Sequence, residues 1–87
     1  MAQTGGADVV IVKTFEVSGV TRIAISHGEG KTEIVEAPGG GSKKDLTDSS
    51  EALHKVITGL YRQGYALKNT FGGNQGSGST LIFVKGQ

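Results

Sequence analysis

Residues 48–64 read DSSEALHKVITGLYRQG, and the apolar spacing in this stretch decides what kind of domain the chain builds. Ala52, Leu53, Val56, Ile57, Leu60 and Tyr61 recur three and four residues apart, which gathers them into one stripe along a helix. His54, Lys55, Thr58, Arg62 and Gln63 fall on the opposite side. Asp48 is placed to cap the helix, and Glu51 three positions on completes a capping box. Gly64 suits the left-handed residue that ends a helix. The spacing therefore predicts a helix over residues 49–63. Gly59 inside it costs about 1 kcal/mol relative to alanine, and close approach of a neighbouring backbone is the expected reason for it.

Upstream of the helix the period changes from helical to extended. Asp8 to Val17 (DVVIVKTFEV) is rich in β-branched residues and reads as a strand. Ser18-Gly19 signals a turn into Val20 to His27, and Gly28-Glu29-Gly30 a turn into Lys31 to Ala37, so the three strands form a meander. Residues 38–45 (PGGGSKKD) read as a mobile loop, because three consecutive glycines carry a high ordering entropy. Downstream, Tyr65 to Phe71 alternates like a half-buried strand, with Tyr65, Leu67 and Phe71 on one face. A second glycine-rich loop, residues 72–79, leads into Thr80 to Lys85. The expected architecture is α+β: an antiparallel sheet of about five strands, in the order β-β-β-α-β-β, with one amphipathic helix on one face.

Composition is consistent with one small domain. At 87 residues there is length for a single core, expected over residues 8–87 behind a flexible tail at 1–7. Hydrophobic residues make up 36%, and 15 glycines restore an ordinary apolar total. The absence of cysteine excludes disulfides, thiolate metal sites and cysteine nucleophiles, and suits a reducing cytoplasm. No signal-peptide pattern is visible near Met1, and the longest apolar run, Val9 to Val12, is far short of a membrane span.

The chemical motifs dissolve on inspection. Gly28-Glu29-Gly30-Lys31-Thr32 ends like a phosphate-binding loop, but Ile25 stands where the first glycine belongs and a strand follows where a helix is needed. The glycines of residues 72–78 miss the dinucleotide fingerprint, whose third glycine would fall on Leu81. His27 with Glu29, or His54 with Glu51, offers two metal ligands where zinc takes three or four. Ser26 and His27 point to opposite faces of a strand, so no hydrolytic set forms. Glu33 and Glu36 also face opposite sides, which suits keeping an edge strand soluble better than acid–base work. No catalytic, metal or cofactor site is expected.

Two functional expectations remain. The first strand and the last, Leu81 to Val84, are apolar on both faces, whereas one helix covers one face. Alternation leaves Val10 and Val12, or Val9 and Ile11, turned away from the helix, and likewise Ile82 and Val84. Such a patch marks an interface, and Val10, Val12, Ile82 and Val84 are its candidates, for a homo-oligomer or a protein partner. The alternative is an anion or nucleic-acid surface. Residues 52–87 carry Lys55, Arg62, Lys68 and Lys85 and no acid, while all eight acids lie before them. Against it, most of the aromatics fall at core-facing positions, whereas nucleic acid needs them exposed among basic residues.

The C-terminal half also resembles a small bacterial family known as domain of unknown function 4177. The likeness is carried by Leu60, by Gln63-Gly64-Tyr65-Ala66-Leu67 closing the helix, and by Leu81-Ile82-Phe83-Val84-Lys85 as the final strand. It covers about the last 35 residues, with Gln63, Tyr65 and Ala66 where the family favours Glu, Trp and Glu. The resemblance implies the helix-and-hairpin fold of this segment and brings no catalytic residue with it.

Overall fold

The structure, a computed structural model, describes residues 8–72 and 78–85. The expected tail at 1–7 and most of the second glycine-rich loop lie outside the described residues. Five strands and one helix follow in the order β1 (Asp8–Val17), β2 (Val20–Ser26), β3 (Thr32–Pro38), α1 (Lys43–Arg62), β4 (Ala66–Gly72) and β5 (Gly78–Lys85). All neighbours are antiparallel, and across the sheet the order is β3-β2-β1-β5-β4. The α+β architecture expected from the sequence is the one observed.

The turns set the register. Ser18 and Gly19 both have positive φ, 50° and 81°, the geometry of a two-residue turn whose twist matches that of the strands it joins. This turn pairs Val17 with Val20 and therefore Val12 with Ile25 and Thr14 with Ile23. On the other side of β1, Val12 pairs with Leu81 and Val10 with Phe83. The residues on this face form the core: Val10, Val12, Ile23, Ile25 and Phe83 are buried with Leu60 and Tyr65. Ala52, Leu53, Val56 and Ile57 of α1 pack onto them. The Tyr61 ring stands edge-on to Phe83, with centroids 6.3 Å apart, a favoured aromatic geometry.

The helix is longer than its apolar stripe. It begins at Lys43, where the Ser42 hydroxyl accepts the Asp45 amide at 3.0 Å. The expected cap, Asp48, lies inside the helix instead, and its Oδ2 accepts a hydrogen bond from Lys44 Nζ at 2.9 Å. That bond, with the attraction of the Asp48 charge, raises the pKa of Lys44. The helix ends as expected. Gly64, at φ 97°, donates to the Tyr61 carbonyl at 3.0 Å, and Tyr65 donates to that of Leu60 at 2.9 Å. This pair of bonds is the glycine-terminated cap that brings the residue after the glycine back onto the last turn, and here it seats Tyr65 in the core.

The first glycine-rich loop is shorter than expected, because β3 runs on to Pro38 and α1 starts at Lys43. What remains is tied to the β1–β2 hairpin. The Gly39 amide donates to the Gly19 carbonyl at 2.8 Å and the Gly40 amide to Glu16 Oε2 at 2.7 Å. A Cβ on Gly39 would sit 2.9 Å from the Val20 nitrogen. Glycine is needed there because two backbones touch. Gly59, by contrast, has nothing within 4 Å of where its Cβ would be, so the expected close approach does not occur.

A further difference lies in β4. The register shifts between Leu67, opposite Phe83, and Asn69, opposite Ile82, so Lys68 is the extra residue of a bulge. Beyond it the alternation is inverted. Leu67 stays on the helix side, while Phe71 pairs with Thr80 on the far side, away from Tyr65 and Leu67.

Candidate functional site

Opposite the helix the sheet presents a second apolar surface. Val9, Ile11, Phe15 and Val17 line it along β1, on the strand face opposite the buried Val10 and Val12. Ile11 pairs with Ile82, and Val9 with Val84, which makes a four-residue apolar block at the centre of the sheet. Ala24 and Ile34 extend it towards the β3 edge, and Phe71 towards the β4 edge. Ile34 is 58% exposed, Phe15 50% and Ile11 37%. Side chains of this size, grouped on one face, are an interface signal that scattered surface leucines are not.

The four residues expected on this surface divide between the two faces. Ile82 and Val84 are on it. Val10 and Val12 are not: both are 0% exposed beneath the helix, and Val9 and Ile11 take their place outside. The register provides the reason, since Val10 shares its face with Phe83 and Val12 with Ile25. The signal was present in the sequence. Strand β2 is clearly two-sided, with Ile23 and Ile25 against Arg22 and Ala24, and the two-residue turn at Ser18-Gly19 transfers that choice to β1.

Charge on the open face is sparse. The Arg22 guanidinium donates through Nε to Glu36 Oε2 at 2.8 Å, so these two largely compensate each other at its β2–β3 side. Lys13 lies between Ala24 and Thr80, one residue beyond the central block. The face is apolar and nearly neutral.

The basic residues of the alternative reading are dispersed. Lys55 lies on the side of α1 next to β3. Arg62 is in the last helical turn. Lys68 is at the bulge of β4, on the other edge of the sheet. Lys85 lies against Gly64, with its Nζ 5.0 Å from the Tyr65 ring centroid, a cation–π contact. The edge positions of Lys55 and Lys68 separate them by the width of the sheet, so the four do not form one stripe.

A concavity lies on the helix side, between α1 and β3. It has a volume of about 600 Å³, with Val35, Val56 and Leu60 among its apolar lining residues and Glu33, Asp48 and Glu51 among its charged ones. His27 borders it from the β2–β3 turn. Among the described residues no three His, Asp or Glu side chains converge as a metal site would require. No described helix is long and apolar enough to cross a membrane.

Comparison of the chain with protein-family models, with curated proteins and with solved structures gave no match.

Proposed function

We propose that this chain is a non-enzymatic assembly module whose open sheet face binds a second copy of itself, working in the cytoplasm. The observation that carries this reading is the central block of Val9, Ile11, Ile82 and Val84, apolar and outside the core. Five strands at ~4.8 Å spacing and about seven residues at ~3.3 Å give a face of roughly 24 by 23 Å. The pleat and the side chains raise its accessible area towards the ~800 Å² per partner that stable interfaces bury.

A second copy suits this face because it carries little net charge. A charged partner would find little to pair with, while an identical apolar face matches it about a two-fold axis near Ile11 and Ile82. Lys13 sits to one side of that axis, where its aliphatic stem covers apolar surface and its ammonium reaches water. The sheet edges are guarded, by contrast. Strand β3 carries Glu33 and Glu36 and ends at Pro38, and β4 carries the bulge at Lys68, devices that discourage pairing edge to edge. The broad face has only Lys13 in that role.

Size-exclusion chromatography of Ile82→Asp beside the unaltered protein tests the reading. A dimer that the aspartate converts to a folded monomer supports it, because a carboxylate cannot be buried there without a partner. Equal elution of the two proteins contradicts it.

A further inference from the structure

Gly59 is the unexplained residue of α1. It weakens the helix by about 1 kcal/mol relative to alanine, yet nothing in the fold needs the space, since no atom lies within 4 Å of its missing Cβ. Gly59 lines the groove between α1 and β3. Any side chain there would project into that groove, so glycine keeps it open.

Three features describe what fits. The groove runs along an edge strand, and the outer side of β3 has no neighbouring strand among the described residues. A strand edge offers backbone donors and acceptors to an incoming extended segment, and a groove beside it offers room for alternate side chains. Next, Val35 and Val56 give the groove an apolar lining, and its volume of about 600 Å³ is within the ~300–1,000 Å³ of ligand-binding clefts. Finally, Glu33 and Glu51 outnumber Lys55 along it, Asp48 being paired with Lys44. Acids on an edge strand repel an identical edge and attract a basic one.

We propose that this groove binds an extended basic peptide segment, with lysine or arginine two residues to either side of an apolar residue so that all three share one strand face, as a sixth strand along β3. The apolar side chain rests on Val35 and Val56, and the cationic heads meet Glu33 and Glu51. This site lies on the helix side of the sheet and is independent of the open face, so either can fail alone.

The test is fluorescence anisotropy with the labelled hexapeptide Lys-Thr-Val-Thr-Lys-Thr, whose lysines and valine share one strand face, and Glu-Thr-Val-Thr-Glu-Thr as its control, on the intact protein. Saturable binding of the lysine peptide, at least roughly tenfold tighter than the glutamate peptide, is expected from the acidic lining. Gly59→Leu, which fills the groove and favours the helix, should abolish it. Glu51→Lys, at an exposed helical position, should weaken it several-fold whether or not Gly59→Leu folds. Hydrogen exchange should slow within Thr32–Pro38 when the lysine peptide is bound. Equal affinity for both peptides, no binding, or binding indifferent to Glu51→Lys would overturn the proposal.

Discussion

Ile11 and Ile82 are directly opposed on β1 and β5, on the face of the sheet that α1 does not cover. One residue along, Val12 and Leu81 are opposed on the other face, within or against the core. Two adjacent cross-strand pairs of similar chemistry thus serve different ends. The inner pair holds the monomer together, and the outer pair is available to a partner.

Substitution separates those roles. Val12→Asp places a carboxylate in the core without a partner and should unfold the chain, because burying an unpaired charge exceeds the stability of so small a domain. Ile11→Asp should leave the monomer folded, since the side chain already meets solvent. Circular dichroism of the two variants reads the difference directly.

The aromatic centre of the core has a predictable weight. Phe83 is 1% exposed and touches the edge-on ring of Tyr61. Phe83→Ala should destabilise by about 3–5 kcal/mol, through lost transfer energy and the cavity left behind. A shift of the urea midpoint measures it, and a loss under about 1 kcal/mol would contradict the packing described.

The start of the helix is equally testable. Ser42→Ala removes the acceptor for the Asp45 amide and should cost about 1 kcal/mol. Asp48→Ala removes only an exposed pair with Lys44, for which ~0–0.5 kcal/mol is expected. The reverse ranking in chemical denaturation would place the cap at Asp48.

Two glycines should respond with opposite signs. Gly39→Ala drives a Cβ to 2.9 Å from the Val20 nitrogen and should destabilise by about 1–3 kcal/mol. Gly59→Ala meets nothing and should stabilise by up to about 1 kcal/mol through helix propensity. Melting curves of the two variants give the signs.

Much of this fold was legible because its patterns are local. The stripe from Ala52 to Tyr61, the stop at Gly64 and the turn at Ser18-Gly19 each act through a few neighbouring residues. Three features depended on more. The helix start was obscured because its first turns, Lys43 to Thr47, lie ahead of the apolar stripe, so Asp48 looked like the boundary. The bulge at Lys68 has no marker in the sequence, and without it Phe71 reads as a core residue. The face of β1 was ambiguous taken alone, since Val9 and Ile11 are as apolar as Val10 and Val12. Only pairing through the turn to Ile23 and Ile25 decides it. That ambiguity and the proposed interface share one cause, because a strand apolar on both sides hides its direction and leaves one apolar face outside the core.

Sedimentation equilibrium of the unaltered chain over a range of concentrations, at low salt and at roughly molar salt, tests self-association most directly. An apolar interface predicts a mass twice that of the chain, maintained or strengthened at high salt, where surface charge is screened. A single-chain mass at every concentration would contradict the account.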